Sequence, residues 1–187
     1  MIVVGRFLFL QIVLCLGIIT CKGQEINSLI IEENGKEILL GKIDKKGLQS
    51  HSFATWFVPN FNRYQVDYTT IKRIKRKLKK YNVQVFLGTW CGDSKREVPR
   101  FFKILNAIDF PENKLEIVAL NNTREQYKKS PTGEEKGLNI TKVPTFIFYK
   151  DGKEVNRIVE SPVKSLEKDI LSIITGSYTA NYALKSN

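Results

Sequence analysis

Apolar residues Ile71, Ile74, Leu78 and Tyr81 recur at three- and four-residue spacing inside a run of lysines and arginines. That spacing predicts an amphipathic helix from Asp67, a residue type suited to the N-cap, to about Lys80. Val83 to Leu87 follows as a short continuous apolar run, the mark of a buried strand. Helical spacing resumes from about Asp93 to Ile108, with Val98, Phe101, Phe102, Leu105 and Ile108 on one face. Pro99 inside this segment removes a backbone donor and predicts a bend near its first two turns. Leu115 to Leu120 reads as a second buried strand, and the polar stretch Asn121 to Gly137 as a loop with room for a short helix. Thr145 to Tyr149 and Glu154 to Val159 read as strands joined by a tight Asp151-Gly152 turn, and Pro162 to Ile174 as a closing amphipathic helix. The order predicts an α/β fold with a mixed sheet and helices on both faces.

Upstream, two apolar stretches within 29–43 flank Asn34-Gly35 and predict a β-hairpin. Gly47 to Arg63 mixes Gly, Ser, Asn and Pro59 with Phe53, Trp56, Phe57 and Phe61. It reads as a connector whose aromatics pack on the main domain, with His51 a lone surface or packing histidine. Residues 1–23 have Arg6 near the start, an apolar run from Phe7 to Ile19, and a small or polar exit. This is a secretory signal layout too short for a comfortable membrane span. The expectation is an exported, periplasmic protein cleaved after Gly23. Two other fates leave it attached to the envelope: an uncleaved segment, or acylation of Cys21, since Ile18-Ile19-Thr20-Cys21 resembles a bacterial lipobox.

Export changes the meaning of the three cysteines. Cys15 leaves with the signal and Cys21 is removed or capped, so Cys91 becomes the free thiol and a disulfide framework is excluded. One histidine and no cysteine pair speak against a zinc site, and the expectation is neither metal nor cofactor. The formal charge of +11 would suit nucleic acid. Its densest cluster, Lys72 to Lys80, is instead the solvent face of the first helix, so no nucleic-acid partner is expected.

The candidate chemistry lies in Trp90-Cys91-Gly92-Asp93-Ser94, between a strand and a helix. A thiol at a helix start is biased toward thiolate by the backbone N–H groups. Asp93 suits the helix dipole but lies near the thiolate and opposes its ionisation, so the net sign stays open. Ser94 occupies the place of a second cysteine, and its Oγ is placed to hydrogen-bond Cys91.

These residues resemble the thioredoxin superfamily. The resemblance rests on the Trp90–Ser94 motif, the helix proline Pro99, Lys142-Val143-Pro144-Thr145 entering a strand, and Phe148 to Lys153 at the hairpin beyond it. It covers roughly 63–176, with 1–23 as signal, 24–62 as an N-terminal hairpin and connector outside the family core, and 177–187 as a tail. It implies a thioredoxin-like α/β fold with a cis peptide bond before Pro144, facing Cys91. It also implies that Trp90, Val143 and Pro144 dock a client while Cys91 attacks. The family's buried acid and its partner lysine align with Val85 and Ala119, and Ser94 cannot resolve a mixed disulfide. Two functions remain open. One is a monothiol oxidoreductase using Cys91, with Ser94 assisting, on envelope-protein or small-thiol mixed disulfides. The other is a redox-inactive client-binding or chaperone-like module. A Cys91-linked disulfide between chains is a third outcome.

Overall fold

The computed structural model describes residues 25–181. The signal segment with Cys15 and Cys21, and the last residues of the tail, lie outside the described residues. Six strands form one mixed sheet: β1 (Ser28–Ile31), β2 (Glu37–Ile43), β3 (Asn82–Leu87), β4 (Leu115–Ala119), β5 (Thr145–Lys150) and β6 (Lys153–Val159), in the order β1-β2-β4-β3-β5-β6. Only β3 and β4 run parallel, with Val85 opposite Ile117, while Val85 also faces Phe146 across the antiparallel β3–β5 pair.

The hairpin forms where Asn34-Gly35 placed it. Gly35 takes φ +78°, and the Asn34 side chain accepts from the Lys36 N–H at 2.9 Å. It joins directly onto β4. β2 pairs with β4, Gly41 opposite Ala119 and Ile43 opposite Ile117, and its Ile38, Leu39, Leu40 and Ile43 are buried. The hairpin thus extends the central sheet.

Among the described residues five α-helices accompany the sheet: α1 (Lys45–Leu48), α2 (Ala54–Arg63), α3 (Tyr68–Leu78), α4 (Gly92–Ala107) and α5 (Leu166–Thr175). α2 occupies the segment expected to be an irregular connector. Its local composition, with Pro59 inside, argues against a helix, but packing overrides propensity. The Phe57 ring is buried against Phe61 at 6.0 Å and edge-on to Phe102 of α4 at 5.5 Å. The Asn60 side-chain amide donates to the Lys95 carbonyl at 3.1 Å. α3 starts as expected, with Asp67 accepting from the Thr70 N–H at 3.1 Å, and buries Ile71, Ile74 and Leu78 while Lys72, Arg73, Lys75, Arg76 and Lys77 face solvent. α5 begins four residues later than expected. Ser165 caps it, accepting from Lys168 N–H at 3.3 Å, and the Asp169 carboxylate accepts from the Val163 and Lys164 N–H groups at 2.6 and 3.2 Å, holding them before the helix.

Alternating strand residues divide the interior in two. Val83, Val85, Leu87, Ile117, Ala119, Phe146 and Phe148 join the buried side chains of the helices in one large core. Phe86, Val118, Leu120, Val143 and Ile147 form a smaller cluster on the opposite face, with Leu138 and Ile140 packed against it. Helices therefore cover one face rather than both. The other is covered by 121–144, which runs as a loop of turns, as expected, and does not use its room for a short helix. Among the described residues no helix is long and apolar enough to cross a membrane.

Candidate functional site

The site lies where β3 leaves the sheet. Gly88 follows Leu87, and a Cβ there would lie 2.5 Å from Trp90 Cε2, so the glycine lets the indole fold back over the chain. Thr89 is buried, and its hydroxyl accepts from the Leu39 N–H at 3.2 Å, tying the loop to β2. The Cys91 N–H closes the loop onto Gly88 O at 2.9 Å, and the Cys91 carbonyl accepts from Lys95 N–H at 3.0 Å. Cys91 is thereby the N-cap residue of α4, in extended conformation with φ −84° and ψ 129°. The first-turn N–H groups of the 16-residue helix converge beside it.

Cys91 is a free, partly exposed thiol. Its Sγ donates to the Val143 carbonyl at 3.3 Å across 52 positions of sequence. The Val143–Pro144 peptide bond is cis. The loop that carries it is pinned on both sides: Thr145 Oγ1 donates to Lys142 O at 2.7 Å, and Pro144 O accepts from Glu160 N–H at 2.7 Å. Trp90 is partly buried on the same face, its indole N–H donating to Leu120 O at 2.9 Å. Cys91, Trp90, Val143 and Pro144 are thus brought together.

Ser94 is placed differently. It is 0 % exposed, and its Oγ accepts from the Gly88 N–H at 3.2 Å. The expected hydrogen bond to Cys91 is replaced by one that braces the β3–α4 loop. Val85 and Ala119 are both buried in the helix-side core.

Asp93, whose effect on the thiol was open from sequence, is paired. Its carboxylate meets Arg96 at 2.7 Å, and Arg96 is held from behind by Glu97 at 2.6 Å. The Glu97 hydrogen bond, with its charge and that of Asp93, holds the Arg96 guanidinium above its ordinary value against partial burial. Glu97 itself is 2 % exposed. One carboxylate oxygen binds Arg96 and Arg100, and Oε2 is buried without a hydrogen-bond partner. A charge pair compensates the acid next to the thiol, a relation that sequence reasoning missed although Asp93 and Arg96 stand at i and i+3.

Tyr127 was also missed. Its ring lies 5.5 Å from that of Trp90, and its position as the one aromatic in the polar 121–137 stretch was the available signal. Among the described residues no group of three His, Cys, Asp or Glu is placed to hold a metal ion.

A family model described as Thioredoxin matches residues 64–172, more than half of the chain. The chain is 28% identical over 116 residues to mitochondrial thioredoxin-3 of Saccharomyces cerevisiae, covering 58% of this chain and 84% of that one. It is 28% identical over 111 residues to thioredoxin H2 of Arabidopsis thaliana, covering 58% and 71%. Among solved structures, a protein of unknown function from Pseudomonas aeruginosa superposes with a TM-score of 0.53 over 74% of this chain and 94% of that one. At 16% identity this likeness bears on fold alone.

Proposed function

We propose, from the premise that the chain belongs to the thioredoxin family, that it carries out thiol–disulfide exchange of monothiol type through Cys91. The observation that carries this reading is the contrast between two side chains one helical turn apart. Cys91 is reachable from solvent at the N-terminus of α4, whereas the residue in the resolving position, Ser94, is a buried hydroxyl engaged with the backbone of Gly88.

The Cys91 thiolate attacks one sulfur of a mixed disulfide. The disulfide bond breaks, its other sulfur leaves as a thiolate and takes up a proton, and a new disulfide joins Cys91 to the retained group. An external small thiol then attacks this intermediate, frees Cys91 and carries away the retained group as a disulfide. Trp90 offers an apolar wall to the group being transferred, and the Val143–Pro144 loop offers backbone at the thiol. Ser94 braces the loop, and Val85 and Ala119 leave the helix-side core beneath it apolar.

The same proposal places the protein in the cell envelope, exported through its 1–23 segment. That placement rests on the sequence pattern of the segment. Mass spectrometry of the protein from cells, with and without reductant, reads its N-terminus, any acyl group on Cys21 and any group bonded to Cys91.

The deciding experiment is reduction of a glutathionylated peptide with added small thiol. Wild-type protein is expected to turn over only with the added thiol, and Cys91→Ser to be inactive. Full activity in Cys91→Ser would end this reading. A Cys91→Ala variant that binds clients normally, beside a wild type that performs no exchange, would establish a client-binding module instead.

A further inference from the structure

The geometry points to Tyr127 and Lys128 as a selectivity shelf beside Cys91, favouring disulfides that carry a carboxylate close to sulfur. The inference rests on the thiol chemistry proposed for Cys91 and names the class of disulfide it prefers.

The shelf is carried by a closed turn. The Asn121 N–H donates to Lys129 O at 3.0 Å, and its carbonyl accepts from Lys128 N–H at 2.8 Å, with Lys128 at φ +57°. The Asn121 side chain accepts from Thr123 N–H at 2.9 Å and stiffens the near side. One residue earlier, Leu120 O holds the Trp90 indole. The turn and the indole therefore share an anchor, and closing the turn sets the Tyr127 ring at 36° to that of Trp90. Tyr127 remains 51% exposed, so its ring adds an open surface to that of the Trp90 indole, the residue before Cys91.

Lys128 gives that surface its charge. Its ammonium lies 4.7 Å from the Tyr127 ring centroid and donates to the Thr141 carbonyl, two residues before Val143. It bridges the turn to the loop whose carbonyl meets Cys91 Sγ. Both partners are neutral, a ring and a carbonyl. Asp93, two residues after the thiol, is matched by Arg96 at 2.7 Å, and Glu160, whose N–H meets the Pro144 carbonyl, by Lys142 at 3.3 Å. Within 124–129 the sequence sets Arg124, Lys128 and Lys129 against Glu125 alone. A cation fixed over an aromatic face beside a nucleophile attracts and orients an anionic partner.

The test follows uptake by the reduced protein of two small disulfides of opposite charge, 3,3′-dithiodipropionate and cystamine. In each, the Cys91 thiolate displaces one half as a thiolate and keeps the other in disulfide linkage, so no further oxidant is needed. Rates are read by mass spectrometry of the Cys91 adduct. Wild type is expected to prefer the dianion, the preference shrinking with salt. Lys128→Gln should reduce the dianion-to-dication rate ratio roughly three-fold, the scale of one exposed charge contact. Lys72→Gln, which removes a charge from the solvated face of α3, should leave the ratio as in wild type.

A second arm uses cysteine peptides with Asp or Asn beside the cysteine, each as its mixed disulfide with 2-mercaptoethanol. Lys128-dependent selectivity in the small disulfides alone assigns the carboxylates to a small thiol, and in the peptides alone to a peptide. An equal ratio in Lys128→Gln and Lys72→Gln in both arms overturns the shelf. Failure of the wild type to take up any of these disulfides would instead remove the thiol chemistry on which the shelf rests.

Discussion

The Ser94 hydroxyl accepts a hydrogen bond from the Gly88 N–H at 3.2 Å, and both groups are withdrawn from solvent. The loop that presents Cys91 is thereby closed by a backbone donor and a helix side chain. Replacing Ser94 with Ala strands the Gly88 N–H and should cost about 1–2 kcal/mol in urea unfolding. Because the hydroxyl is engaged with the Gly88 N–H, the rate at which Cys91 reacts with iodoacetamide should stay within about two-fold of wild type. A large loss of thiol reactivity at unchanged stability would return Ser94 to the chemistry.

Gly88 has no room for a side chain, since a Cβ would meet the Trp90 indole at 2.5 Å. Gly88→Ala should therefore displace Trp90 and lower stability by roughly 1–3 kcal/mol. Uptake of a model disulfide by Cys91 should slow at the same time. A variant with unaltered tryptophan fluorescence and wild-type stability would show that the indole does not need its place over the chain.

Glu97 sits in the core-facing turn of α4 with two arginines on one oxygen and none on the other. Arg96→Ala removes one of these partners and leaves Asp93 without its cation. The buried carboxylate then keeps Arg100 alone, which should cost about 1–3 kcal/mol, less than a fully buried pair because Arg96 is partly exposed. Combining it with Glu97→Gln should recover part of that loss, because the neutral amide needs less compensation. Additive losses in the double variant would separate the two residues.

Asp67 titrates in a predictable direction. The Thr70 hydroxyl, then the Thr70 N–H, hold its carboxyl below the ordinary value of 3.8. A lowered folded value means that the cap's charge contribution is complete above 3.8 and is lost as pH falls through the folded value beneath it. Asp67→Asn keeps an oxygen for the cap but does not titrate. Its stability deficit should be constant from neutral pH down to about 4 and should close in stronger acid. A deficit that widens in acid would contradict the assignment.

Legibility differed from one segment to another for physical reasons. The Asp67 cap, the Val83–Leu87 strand and the Asp151-Gly152 turn, with φ of +51° and +75°, express local preferences and were readable. Helix α2 was not, because what stabilises it is Phe57 against Phe102, a contact with a residue far along the chain. The helix-free face of the sheet is hard to read for a similar reason: Leu138 and Ile140 look like isolated apolar residues in a loop until Val118 and Ile147 are seen beneath them. At the site, the motif residues and the proline loop were evident as types in a set order. The orientation of Ser94, the Asp93–Arg96 pairing and the approach of Tyr127 depend on side-chain directions and on a turn closed by backbone bonds, which composition does not encode.

The hydrogen bond from Leu39 to Thr89 sets a practical limit on dissection of this chain. Family similarity begins at residue 64, which invites an expression boundary there. A cut at that point would strip β4 of its β2 neighbour, leave a row of backbone groups open along a new sheet edge, and remove the donor that fixes the loop two residues before the thiol. A fragment with a native reactive centre therefore keeps β2, and shorter versions should be judged as aggregation risks rather than as minimal domains.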